Sequence, residues 1–193
     1  ISIVREAIKN SDIVTKPMLA KETGLTSATV GTILNELLEK NEIVEANHGK
    51  STGGRPPKEY SYNFDFFHCL IIFPFEKNNN TYLNICVSNL GETYLYSEER
   101  KIEKVNLQII KNIIKEFKEK FPKIEVVGFG NAGTNQGDLI TFSDYSELEG
   151  LNLSKELSIP VVIENDVNSA AIGFNKRKGG SENPSTVYIF FPE

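Results

Sequence analysis

Residues 26–41, TSATVGTILNELLEKN, constrain the fold more than any other stretch. Val30, Ile33, Leu34, Leu37 and Leu38 recur at the i, i+3, i+4, i+7, i+8 spacing of one helix face. The outward positions Ser27, Thr29, Gly31, Thr32 and Asn35 are small and polar, and charge is delayed to Glu36, Glu39 and Lys40. A surface helix is usually coated with long charged side chains. A bare face of short hydrogen-bonding groups can approach another surface closely, and the DNA major groove is such a surface. The plainer alternative is an ordinary amphipathic helix, so the flanking sequence must decide. Glycine inside a helix costs about 1 kcal/mol against alanine, and close approach to DNA gives Gly31 a reason.

The flanks favour the DNA reading. Residues 1–10 read as a helix with Ile3, Val4, Ala7 and Ile8 facing inward. Thr15 can cap a second helix that tolerates Pro17 in its first turn. Gly24 suits the end of that helix, Leu25 returns to the core and Thr26 caps the third. Helix, short glycine-containing turn, helix is the helix-turn-helix pattern. Two short strands follow, residues 43–46 and 59–63, joined by HGKSTGGRPPK. Between Ala46 and Lys58 there is no acid, only His48, Lys50, Arg55 and Lys58. Gly53 and Gly54 let the tip turn freely, and Pro56 and Pro57 stiffen its exit. A basic loop between two strands after a helix-turn-helix makes a wing, with Arg55 offered on an extended backbone to a narrow minor groove. A merely solubilising linker is the alternative. Ser27, Thr29, Gly31, Thr32, Asn35, Lys50, Arg55 and Lys58 are therefore the candidate DNA-binding residues.

Charge supports the division. Net charge is −5 over 193 residues, which argues against a chain coated by nucleic acid throughout. Residues 1–62 are balanced, so all the excess acid lies beyond them. Hydrophobic content of 39% and charged content of 24% are those of an ordinary globular chain. No apolar run reaches the roughly 20 residues needed to span a bilayer, and no basic-then-apolar leader is seen. Cys69 and Cys86 lie in apolar runs without a metal-ligand cluster and read as reduced core residues of a cytoplasmic protein. No metal, cofactor or membrane partner is expected.

From residue 66 the pattern changes. Three β-rich runs, 67–75, 81–88 and 92–101, form a meander, and a helix at 106–120 buries Leu107, Ile110, Ile113, Ile114, Phe117 and Phe121. Residues 124–129 read as a buried parallel strand, with Gly128, Gly130 and Gly133 clustered at its end. A short strand or hairpin arm at 139–142 and a short helix at 152–158 follow. Another buried strand covers 160–164, and a helix covers 166–176 with Ala170 and Ala171 packed close. A last strand covers 186–191.

GGRPPK after the helix-turn-helix, and ENDVNSAAIGF about a hundred residues later, resemble the ROK family of repressors and sugar kinases, on its repressor branch. The resemblance covers essentially the whole chain. It implies a fold of class α/β with an α+β winged-helix N-terminus. Residues 1–63 would be a winged helix-turn-helix, and residues 66–193 the first lobe of an actin-like, ribonuclease H-like sugar-kinase-type domain. That lobe is expected to be incomplete without a second one. The resemblance implies a sugar site at the glycine-rich segment GFGNAG, with Gly133, and at Asn165 and Asp166. In the kinases the Asp is the general base. A carboxylate and an amide at a strand end can bind vicinal hydroxyls, although Asn165-Asp166 could equally serve as a helix cap.

The departures bear on activity. Ala132 stands where the family has Pro, and Phe174 where it has Glu. The family's cysteine-rich zinc motif has no counterpart in these residues. The kinases' Asp-x-Gly-x-Thr phosphate loop corresponds to FPFEKNNNTY, which has no glycine. A phosphate cradle needs glycines for close backbone approach, so no enzymatic activity is expected. The expected function is a sequence-specific transcriptional regulator, a repressor, whose partners are a double-stranded operator and a sugar or sugar-phosphate effector. A homodimer or higher homo-oligomer is expected. The rivals are an ATP-dependent sugar kinase with an appended helix-turn-helix, and a winged helix used for protein contacts only.

Overall fold

The computed structural model of the chain describes residues 1–46, 57–169 and Ile172. The chain divides between Phe66 and Phe67 into two compact units, each with its own core.

The first unit orders its elements as α1 (Ser2–Lys9), β1 (Val14–Thr15), α2 (Lys16–Thr23), α3 (Ser27–Glu39), β2 (Ile43–Ala46) and β3 (Glu59–Tyr62). Local chemistry sets the boundaries. The Thr15 hydroxyl accepts from the Met18 amide at the start of α2, with Pro17 in the first turn. Gly24 ends α2 in the left-handed region (φ 69), which costs a residue without Cβ nothing. The Thr26 hydroxyl accepts from the Thr29 amide at 3.2 Å and opens α3. Val30, Ile33, Leu34 and Leu37 of α3 pack with Val4, Ala7 and Ile8 of α1, with Leu19 and with Ile43. Each such Val, Leu or Ile side chain contributes about 1.5–3 kcal/mol when fully buried. Strand β3 lies between β1 and β2, antiparallel to both. The Arg5 guanidinium grips Glu42 through two bonds, 2.6 and 3.1 Å, and ties α1 to the turn after α3. Two expectations change. Ile3 is 57% exposed, because the inward stripe of α1 is Val4, Ala7 and Ile8 alone. The two-residue strand β1 was not anticipated.

The second unit runs β4 (His68–Lys77), β5 (Asn80–Asn89), β6 (Tyr94–Ile102), α4 (Leu107–Lys120), β7 (Ile124–Asn131), β8 (Gly133–Gln136), β9 (Leu139–Ser143), a 3-10 turn (Ser146–Leu148), α5 (Leu153–Leu157) and β10 (Val161–Asn165). Its main sheet has the order β10-β7-β4-β5-β6 and is mixed. The β4-β5-β6 meander is antiparallel, whereas β7 is parallel to β4 and to β10. The β4–β5 hairpin closes through Asn78 (φ 51) and Asn79 (φ 55), a two-residue turn with both residues left-handed. Leu70, Ile72, Leu83, Ile85, Val127, Phe129 and Ile163 face Ile110, Ile113, Ile114 and Phe117 of α4 across one core. The expected buried residues Leu107 and Phe121 are only partly covered.

The architecture is mixed α/β. The glycine-rich segment is not an open loop: Gly128 and Gly130 lie inside β7 and Gly133 begins β8. A Cβ on Gly130 would run into the Phe73 ring, which explains glycine there. Cys69 and Cys86 are free but half-buried on the sheet face opposite the core, not within it. Ala170, Ala171, Phe174 and the strand expected at 186–191 lie outside the described residues, as do Lys50 and Arg55.

Candidate nucleic-acid and sugar sites

Helix α3 presents Ser27, Thr29, Thr32 and Asn35 as exposed side chains, with Gly31 half-exposed among them. The stripe on its other side is buried, so the helix is fixed in rotation: Gly31, Thr32 and Asn35 lie along its outward face, and Ser27 and Thr29 flank that face on either side. Their hydrogen bonds differ. The Thr29 hydroxyl shares a bond with Thr26 at 2.9 Å, and the Thr32 hydroxyl donates to the Ala28 carbonyl at 3.3 Å. Both retain acceptor capacity. The Ser27 and Asn35 side chains make no hydrogen bond among the described residues. The exposed face carries no charge until Glu36, which holds Lys40 at 2.7 Å. That pairing keeps the Glu36 carboxyl below its usual range and the Lys40 amine above its own.

Gly31 faces Lys16, the first residue of α2, which sequence reasoning did not single out. Lys16, Ala28, Gly31, Thr32, Leu34, Asn35 and Tyr60 line a shallow groove along the exposed face. Of the three candidates in and around the basic loop, Lys58 alone is described. It is exposed and ion-paired with Glu45 of β2. A phosphate would have to compete with that carboxylate.

The second candidate site lies at the C-terminal ends of the parallel strands β7 and β10, where ligands of open α/β sheets bind. Asn131 and Asn165 are direct partners in the parallel ladder. The Asn165 amide nitrogen donates to the Gly133 carbonyl at 2.9 Å, so two of the expected sugar residues are in contact. The Asn165 oxygen accepts from the Val167 and Asn168 amides at 3.0 and 3.1 Å. Asn165 is therefore both a helix cap and a staple on β8, and only one of its N–H bonds is uncommitted. Asp166 spends one carboxylate oxygen on the Val167 amide at 2.9 Å, and the other has no bond among the described residues. Gly133 is required where it stands, because a Cβ would strike the Phe142 carbonyl oxygen.

Sequence reasoning missed two residues here. Asn131 is fully buried; its amide donates to the carbonyls of Phe142 and Thr134 at 3.1 and 3.4 Å and holds the β8–β9 hairpin against β7. Its Oδ1 is buried without a partner among the described residues. The available signal was an amide between glycines at the end of an apolar strand. Tyr145 is the other. Burial pushes its phenol up to about 12, and the negative fields of Glu76, Asp144 and Asp166 add to that. Among the described residues no three His, Cys, Asp or Glu side chains group to hold a metal ion, and no helix is long and apolar enough to cross a membrane.

No family model matches the chain. It is similar to the xylose repressor of Bacillus subtilis (strain 168), 24% identical over 200 residues that cover 97% of this chain and 51% of that protein. It is also similar to the xylose repressor of Caldicellulosiruptor bescii, 24% identical over 186 residues, 89% of this chain and 46% of that protein. The chain thus spans about half the length of the curated relatives it matches. Among solved structures it shares the fold of a ROK family transcriptional regulator, a homolog of the E. coli MLC protein. The TM-score is 0.69 and the identity 20%, over 90% of this chain and 46% of that one.

Proposed function

We propose that this chain, whose resemblance to the ROK family is carried by the xylose repressors and the ROK regulator, is the DNA-binding part and first effector lobe of a sugar-responsive transcriptional repressor. The observation that carries the reading is the uncharged, exposed face of α3, with Thr32 and Asn35 along it and Ser27 and Thr29 on its flanks, on a helix locked by its buried opposite face. In a winged helix-turn-helix, α3 enters the major groove. Asn35 and Thr32 then read base edges, which offer donor and acceptor patterns an amide or hydroxyl can match. The hairpin β2–β3 is the wing, and its basic loop contacts phosphate or the minor groove.

The second unit supplies the effector site. Asp166, held at the strand end by the Asn165 cap, binds hydroxyls of a sugar; the relatives' names make xylose the first sugar to try. The sugar shifts DNA affinity only by binding the DNA-competent and DNA-incompetent states unequally. A two-fold assembly would read a palindromic operator. Phosphoryl transfer is disfavoured, since the two-residue Asn78-Asn79 turn leaves no glycine loop to wrap a triphosphate.

The test is enrichment of genomic fragments by the chain, followed by challenge with sugars. A few discrete fragments released, or bound more tightly, by one sugar are expected, with Asp166→Asn deaf to it. Turnover of ATP and sugar, or enrichment no better than random sequence, would contradict the reading.

A further inference from the structure

Gly31 sits in the middle of α3 with ordinary helical backbone, so no left-handed conformation demands glycine. No packed neighbour demands it either. A Cβ built there would meet Lys16 Nζ at 2.8 Å, Lys16 Cε at 3.2 Å and Lys16 Cδ at 4.0 Å, the three nearest atoms beyond its own stretch of helix backbone. The backbone would not have to move for an alanine; only the end of a flexible lysine would. The glycine therefore costs helix propensity and leaves a space that one ammonium occupies.

That ammonium is unusual for its surroundings. Lys16 follows the Thr15 cap at the start of α2, and its head rests in the groove with Thr32 and Asn35. Among the described residues no ion pair engages it, whereas Lys40 and Lys58 are held by Glu36 and Glu45. Among the described residues it is the one cation lining the groove along the uncharged face. An ammonium set to the side of the base-facing Thr32 and Asn35, on a different helix, is placed to meet the DNA backbone, where its complement is a phosphate oxygen.

We propose that Gly31 is a seat for the Lys16 ammonium, which it holds against α3 so that Lys16 binds a DNA phosphate flanking the bases met by Thr32 and Asn35. Gly31 is then a positioning residue that acts through Lys16, not a point of closest approach to DNA. The inference rests on the DNA-binding reading above.

Four versions of the full chain test it: wild type, Lys16→Met, Gly31→Ala and the double variant. Each is titrated with an enriched fragment and with random DNA across a salt series, and Lys16→Arg serves as rescue. Lys16→Met should weaken both DNAs by a similar factor, about tenfold at low salt, and flatten the slope of log affinity against log salt by about 0.9, one phosphate contact. Gly31→Ala should weaken both DNAs in the same sense by a smaller factor, since the displaced ammonium keeps its charge, while its thermal midpoint holds or rises. In the Lys16→Met background Gly31→Ala should add less than about twofold, since the two changes remove one contact. Lys16→Arg should restore the slope. If Lys16→Met leaves affinity and slope unchanged while wild type binds DNA, the inference is wrong and the DNA reading survives. An equal loss from Gly31→Ala in both backgrounds overturns the seat in favour of direct approach. Wild type that binds no fragment removes the DNA reading and the inference with it.

Discussion

Helices α3 and α4 are built by the same rule and finished differently. Each buries four residues on one stripe, Val30, Ile33, Leu34 and Leu37 in one, Ile110, Ile113, Ile114 and Phe117 in the other. Each opens on a side-chain cap, Thr26 to the Thr29 amide and Asn106 to the Ile109 amide. The outer face of α4 is long and charged, and much of it is engaged. Arg100 holds Glu116 through two bonds of 2.8 Å, Lys111 reaches Glu156, and Lys120 lies 3.6 Å from the Tyr96 ring centroid. The Arg100 pair keeps the Glu116 carboxyl below its usual range. The outer face of α3 is short and uncharged as far as Asn35 and, at Ser27 and Asn35, its side chains make no hydrogen bond among the described residues. The buried stripe says that a helix is anchored; the outer face says what it is for.

The comparison breaks first at the cores, where the helices should behave alike. Leu37→Ala and Phe117→Ala should cost about 2–5 and 3–5 kcal/mol, read from denaturant unfolding. A change of under 1 kcal/mol for either would mean that its stripe is not packed as described. At the outer faces they should behave oppositely. Asn35→Ala should weaken a specific site by about 1–3 kcal/mol and leave random DNA nearly untouched, whereas Lys111→Ala should alter neither. The caps sharpen this. Thr26→Ala and Asn106→Ala should each cost about 1 kcal/mol of stability, and only Thr26→Ala should also lower DNA affinity. The smallest effect belongs to the wet face of α4: Lys120→Gln should cost about 0.5–1 kcal/mol through its lost contact with Tyr96, with DNA binding unchanged.

Much of this was legible in the sequence, because the signals were local. The stripes of α3 and α4, the caps Thr15 and Thr26 and the left-handed Gly24 all follow from spacing and side-chain chemistry within a few residues. What escaped was non-local. Strand β1 is two residues long, too short for a period, and exists because β3 offers it an edge. The three glycines of GFGNAG read only as a cluster at a strand end, which the resemblance makes a glycine-rich loop. Gly130 is instead dictated by the Phe73 ring, distant in the chain, and Gly133 by the Phe142 carbonyl across the β8–β9 hairpin. Asn131 and Lys16 were invisible for the same reason: their roles lie in what the fold brings beside them. Ile3 was misplaced because a helix period finds the apolar positions but not where the stripe ends.

The central claim is that the exposed face of α3 reads DNA sequence. The most direct measurement is the affinity of the full chain for an enriched genomic fragment against the same fragment with each base pair substituted, in wild type and in Asn35→Ala. The account predicts a cluster of positions where substitution costs wild type about 1–3 kcal/mol each, with at least one of them flattened in Asn35→Ala. A profile equally flat in both proteins, or one that Asn35→Ala leaves unaltered, would contradict it.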